Sequence, residues 1–313
     1  MDANDSTEPP AAGQASEAPA FVAEPPASRR SPGIIPSQAT AGTCTTCGSQ
    51  PAPSSGNSTT YPYVYAIGGV QHSFPSLGDE KEFAQVTGRS DTTGMTDQQA
   101  RYQALSQHRY LARRGCYVLT IGGMETYILQ PRDPMDLDLL VEAVRPKPSP
   151  MDLDAIVGVR GPIAPPEMCN GLMVPIVMFD QLYSFDRASL QKNIPRPKNI
   201  PQAQFLDTAE ALLDRILQIA DNAGATNEDR ALNYLAMRYE RIYSATAEAY
   251  GRNASLTSID VRPSALSGTR ELMDVIFSYT DRTIDVVDKL AVRVDVTEEF
   301  PFLVTKLSPY VDR

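Results

Sequence analysis

The chain has 313 residues, a formal net charge of -10 and 42% hydrophobic residues, so it can bury a substantial core. The acidic balance excludes a general nucleic-acid binder, because neutralising phosphates takes clustered lysine and arginine. The longest apolar runs, such as Leu172 to Phe179, are far too short to span a bilayer, so no membrane partner is expected.

Residues 1–58 are rich in Ala, Pro, Ser, Thr and Gly and poor in large apolar side chains. Such a stretch cannot bury enough surface to offset its conformational entropy, and it reads as a disordered leader. Its first twenty residues hold Asp2, Asp5, Glu8 and Glu17 among prolines, where a secretory signal needs a basic start and an apolar stretch. A cytoplasmic location follows as the expectation. Residues 59–313 read as a single α+β domain, strand-rich over 59–195 and helical over 202–313.

Tyr63 to Ile67 is a β-rich run, with Gly68-Gly69 as its stop. Thr96 and Asp97 open a helix running to Arg114, and Gly115 ends it. Cys116 to Ile121 and Glu125 to Leu129 flank Gly122-Gly123 as a hairpin. Asp133-Pro134 starts a short helix with Leu137, Leu140, Val141 and Val144 on one face. Asp154 to Val159 and Leu172 to Phe179 read as further strands. The segment Gly161 to Pro166 between them is a loop, because proline cannot donate to a ladder.

From Pro195 the pattern turns helical. Asp207 and Glu210 resemble a capping box ahead of Leu212, Leu213, Ile216, Leu217 and Ala220, with Gly224 as the stop. Thr226 caps a second helix whose stripe is Leu232, Leu235, Tyr239, Ile242, Tyr243 and Thr246. A third stripe takes Leu272, Val275, Ile276, Tyr279, Val286 and Leu290. The expected fold is a small mixed or antiparallel sheet with helices packed on it, followed by a C-terminal layer of amphipathic helices. That layer packs on the sheet or, in the alternative, forms the interface of a homodimer.

The four cysteines are Cys44, Cys47, Cys116 and Cys169. Without an export signal a disulfide framework is not expected, which leaves metal or redox use. Cys44-x-x-Cys47-Gly48 has the form of a zinc knuckle, two thiolates facing one point with a glycine accepting the unusual dihedral. Cys116 and Cys169 both sit at strand entries and can lie on one sheet edge. Four thiolates close a tetrahedron with no open position, so a structural Zn2+ is expected. Two buried thiols beside an unrelated knuckle, or a redox Cys-x-x-Cys, remain the alternatives.

Signals for catalysis are sparse. Only His72 and His108 could serve a triad, and no Gly-x-Ser-x-Gly elbow supplies a nucleophile. His72 has a second reading, as a metal ligand in place of a cysteine. Asp133, Asp136, Asp138, Asp152 and Asp154 cluster in sequence but lack the glycine and distal glutamate of a calcium loop. Asp133 and Asp136 fit the first turn of a helix.

Several runs carry a resemblance. They are Tyr110 to Ile121, Thr126 to Leu129, Arg132-Asp133-Pro134, Ser149 to Asp154, Val159 to Ile163, Pro166 to Gly171, Phe179-Asp-Gln181 and Pro301 to Tyr310. Over about residues 44–313 the chain resembles the C-terminal domain of unknown function of PatG-type cyanobactin maturation proteases. The protease activity of that family lies in a separate upstream subtilisin-like domain, for which this chain has no room. The resemblance implies an accessory role near ribosomally made, modified peptides, and it places the cysteines at motif positions.

The functional expectation is therefore a non-catalytic, zinc-stabilised accessory or scaffold protein that binds a peptide or protein partner. Pro162 to Met168 and Arg132-Asp133 would rim its groove. One alternative is an enzyme using Arg160 and Glu167 or the Asp152/Asp154 pair. The other is a structural component engaged through its C-terminal helices.

Overall fold

The computed structural model describes residues 63–88, 94–147, 152–185, 200–219 and 221–311. The leader with Cys44 and Cys47, most of the proline connector and Ala220 lie outside the described residues. The first elements are β1 (Tyr63–Ser73), α1 (Leu77–Thr87), α2 (Asp97–Gln107) and α3 (Arg109–Arg114). The hairpin β2 (Cys116–Ile121) and β3 (Met124–Pro131) follows, then a 3-10 turn at Pro134–Asp136 and α4 (Leu137–Ala143). Two long strands, β4 (Leu153–Ile163) and β5 (Pro175–Phe185), complete this half.

These five strands close on themselves in the order β1-β2-β3-β5-β4. All neighbours are antiparallel except β3 and β5, which run parallel from Ile128 beside Ile176 to Pro131 beside Phe179. Strand β1 makes closure possible by serving two partners. Its first half pairs with β4, from Tyr63 opposite Val159 to Gly68 opposite Asp154. Its second half pairs with β2, from Gly69 opposite Thr120 to Ser73 opposite Cys116. Gly68-Gly69 is thus the corner between partners and not the end of the strand. A Cβ on Gly68 would stand 2.6 Å from the Thr120 carbonyl oxygen, so glycine is what lets the chain pass.

The barrel interior is filled by Val64, Ala66, Leu119, Ile156, Val177 and Phe179, and α1 to α4 add Phe83, Leu105, Leu111 and Leu140 to the same core. The helix expected from Asp97 to Arg114 breaks at His108, whose φ of -120° and ψ of 80° interrupt it. Its start is as read: the Thr96 side chain accepts from the Gln99 N–H, and Gln99 bonds back to the Thr96 backbone.

After residue 200 come α5 (Gln202–Ile219), α6 (Asn227–Arg238) and α7 (Arg241–Gly251). Helix α5 begins well before Asp207, so Asp207 and Glu210 do not form its capping box. Thr226 does cap α6, accepting from the Asp229 N–H. These helices pack against Tyr65, Ile67, Ala155 and Val157 on the outside of the barrel.

The third stripe is not a helix, and the C-terminal region is mostly strands. Strands β6 (Ala254–Pro263), β7 (Leu272–Asp281), β8 (Val287–Asp295), β9 (Phe302–Leu303) and β10 (Ser308–Pro309) form a second sheet in the order β10-β8-β7-β6, with β9 on β8. Met273, Val275, Phe277 and Tyr279 alternate into the core shared with α5 to α7. The apparent helical spacing mixed the two faces, because Leu272 and Ile276 are also buried, on the opposite side of β7. The run Val275-Ile276-Phe277 is β-branched and aromatic, which the period count outweighed. The architecture is α+β with two sheets, one closed and one open. No helix among the described residues is long and apolar enough to cross a membrane.

Candidate functional site

The loop between β4 and β5 does not project into solvent. Ala164 and Cys169 are buried against Cys116 and Val118 of β2, Ile128 of β3 and Ile176 of β5, with Met168 and Leu172 at the margin. This satellite core covers the outer face of the hairpin. The Ala164 N–H donates to the Val174 carbonyl at 2.9 Å and the Gly171 N–H to the Pro166 carbonyl at 2.8 Å, closing the loop on itself. Asn170 and Gly171 turn through the left-handed region, at φ of 49° and 89°.

Cys116 and Cys169, 53 residues apart, are brought into contact there as a disulfide, with a Cα–Cα separation of 5.9 Å. Sequence reading expected the two thiols on one sheet edge but no disulfide. The Cys116 Sγ lies 3.3 Å from the Met168 carbonyl oxygen. Among the described residues no group of three or more His, Cys, Asp or Glu could hold a metal, and Cys44 and Cys47 lie outside that set.

Beside this pair opens a cavity of about 440 Å3. Helix α3 contributes its C-terminal end, with Arg113 and Arg114. The strands supply Tyr117, Ile128 and Leu129, and α4 supplies Leu137 and Leu140. Met168 of the proline-rich loop borders one side, and Pro131 and Pro134, either side of Arg132-Asp133, border the other. The walls are two strands of a closed barrel, two helices and a loop fastened by Cys169. Arg114 is held by Asp79 and by Glu82, the latter at 2.6 Å, whereas Arg113 has no carboxylate partner among the described residues.

A second polar cluster lies where the two halves meet. Arg132 Nη2 stands 2.8 Å from Asp180 Oδ2, and its guanidinium faces both Glu299 oxygens at 3.4 Å. Burial, then the hydrogen bond and charge of Asp180, push the Glu299 carboxyl up to about 7, with Arg132 opposing the rise. Glu299 had no local signal in the sequence, since it lies far from both partners. Next to it, Arg230 is wholly buried. It donates to the Val296 carbonyl at 2.7 Å and to those of Glu298 and Glu299, and lies over the Tyr63 ring at 5.4 Å.

The remaining candidates separate. His72 is 6% exposed, edge-on to Phe74 and Tyr117, with neither ring nitrogen bonded. Burial, then the nearby Arg101 charge, lowers it to about 4, so it is neutral at physiological pH. Asp154 is fully buried and accepts from the Val70 N–H, the Ser184 hydroxyl and Lys147, which makes it a barrel-closing group. Asp133 accepts from the Met135 N–H, and Asp138 pairs with Arg109 at 2.6 Å. Glu167 is exposed on the loop, and no ion pair joins it to Arg160.

Residues 199–310 match the family model described as PatG C-terminal. They are PatG C-terminal-like. This stretch takes in α5 to α7 and the second sheet, and it includes the Pro301 to Tyr310 run noted in the sequence. A solved structure described as "PatG Domain of Unknown Function" superposes with a TM-score of 0.67 at 19% identity, covering 80% of this chain and 99% of that one. At this identity the likeness extends the PatG-like architecture to the barrel as a fold and no further. Among curated proteins none matches the chain.

Proposed function

We propose that this PatG C-terminal-like chain is a binding module, which holds a short segment of a peptide or protein partner in the cavity between α3, α4 and the proline-rich loop. The observation that carries this reading is the cavity itself. Its volume is in the range of ligand sites, and its lining combines apolar side chains with polar ones from Arg113, Arg114 and Gln130. The cavity is open in this structure and built on regular elements, and a preformed site lowers the entropy cost of binding. The carboxylates and histidines singled out in the sequence do not converge on one site, which favours this reading over an enzyme built on them.

The cysteines act in this scheme as a fastener. Cys116 and Cys169 hold the loop against the hairpin as a disulfide, and only with that bond reduced would they join Cys44 and Cys47 as four thiolates for a structural Zn2+. The support for this is proximity alone: the Cα atoms of Cys116 and Cys169 are 5.9 Å apart. Elemental analysis with a thiol count on the native protein tests this directly. One zinc per chain with all four thiols shielded is expected. A metal-free protein with two reactive thiols and one disulfide would remove the metal from the scheme.

The binding reading is tested by selecting peptides from a random display library on the full chain. Peptides that bind should do so about tenfold less tightly to Met168→Trp, whose larger ring closes the cavity mouth. If no sequence is enriched, or if the tryptophan variant binds equally well, the cavity is not the site.

A further inference from the structure

The cavity is asymmetric in a way that specifies its ligand. Its floor is apolar, formed by Ile128, Leu137 and Leu140, while its positive edge comes from α3. Of the two arginines there, Arg114 is neutralised by Asp79 and Glu82, and Arg113 is not neutralised by any described carboxylate. Arg113 is exposed, so its guanidinium pays no burial penalty before a ligand arrives. Asp133, close to the opposite edge, spends its side chain on the Met135 N–H of its own turn. An exposed arginine with no carboxylate partner among the described residues, in a chain of net charge -10, offers this edge of the cavity a positive charge.

We infer that the cavity recognises the free C-terminus of a peptide ending in a large apolar residue. That residue's side chain rests on the floor and its carboxylate pairs with Arg113. This deepens the binding-module reading and rests on it. A terminal residue carries its apolar side chain and its charge on the same α-carbon, so one small cavity takes both. An internal aspartate or glutamate would place its carboxylate where the apolar side chain belongs, and both chain ends would have to leave the cavity. Arginine suits this task because its planar fork meets a carboxylate with two parallel N–H···O bonds.

The test uses the full chain and one N-terminally labelled peptide, Gly-Ser-Gly-Ser-Leu-Phe, made as the free acid and as the C-terminal amide, with binding read by fluorescence anisotropy. The acid should bind at least tenfold more tightly than the amide. Arg113→Gln should weaken the acid to the level of the amide and leave the amide unchanged. Because Arg113 is exposed, its replacement should not disturb the fold, and a thermal melt of the variant verifies this. Equal affinity for acid and amide in the unaltered protein overturns the inference while the binding module stands. An acid preference that survives Arg113→Gln also overturns it. If neither peptide binds, this inference fails, and the library selection then decides the fate of the binding module. Displacement of the peptide by equimolar dodecanoate would assign the cavity to an acyl chain and reject the peptide terminus.

Discussion

Arg230→Met should cost about 3–5 kcal/mol of stability and lower the melting temperature by roughly 10 °C, read by calorimetry or denaturant titration. Arg230 has no exposed surface, yet among the described residues no carboxylate side chain is bonded to it. Its charge is compensated by dipoles: the carbonyls of Val296, Glu298 and Glu299, the Asn227 side-chain oxygen and the Tyr63 ring. Burial lowers it to about 10, which leaves it protonated at neutral pH. Methionine matches its length and removes its donors, so the turn at 296–299 loses the bonds that set its path. Each carbonyl left dry is worth about 1–3 kcal/mol, and partial hydration of the turn keeps the sum below three such losses. The same turn positions Glu299 against Arg132 and Asp180, so the variant should also lose the raised Glu299 titration. Arg230→Lys should fall between, since one ammonium cannot serve carbonyls spread over four residues. A melting temperature unchanged in Arg230→Met would mean that the turn is held by other contacts.

Gly224→Ala should destabilise by about 3 kcal/mol, for two separable reasons. Gly224 adopts a φ of 59°, which costs a residue with a Cβ about 1 kcal/mol. A Cβ there would also collide with the Tyr65 carbonyl carbon and oxygen. Tyr65 is anchored from both sides: its N–H donates to the Gly224 carbonyl at 3.1 Å, and its carbonyl accepts from Asn233 Nδ2 at 2.8 Å. Neither backbone can yield without breaking a buried bond between barrel and helices. Gly122→Ala is the control. Gly122 has a φ of 57° with nothing within 4 Å of the added carbon, so only the dihedral term of about 1 kcal/mol applies. Equal losses in the two variants would show that the Tyr65 contact is not rigid.

Elements whose signals are local were legible in the sequence. The β2–β3 hairpin was marked by Gly122-Gly123, the start of α2 by Thr96 and Asp97, and the start of α6 by Thr226. Boundaries and closure were not. Gly68-Gly69 looks like a stop because a glycine pair usually marks a turn, and nothing local reveals a second strand waiting at Thr120. The stripe from Leu272 to Leu290 satisfies helical spacing only because β7 is buried on both faces, which removes the alternation that identifies a strand. The proximity of Cys116 and Cys169 could be suspected from their strand-entry positions. Arg132, Asp180 and Glu299 could not be associated, since barrel closure and the second sheet together bring them into reach.

The division of labour within β1 has a consequence for synthesis on the ribosome. The C-terminal sheet is a meander, in which β7 pairs with β6 and β8 with β7, each with the strand made just before. Such pairing can form as the chain emerges. The barrel cannot proceed that way. Tyr63 leads the chain into the barrel but must wait for Val159 before its half of β1 has a partner, and β3 must wait for β5. Until then the apolar segment Val64 to Ile67 has both faces unprotected. The nascent protein therefore passes through a window, closed by β4 and β5 and then by α5 and α6, in which this strand is available to other chains.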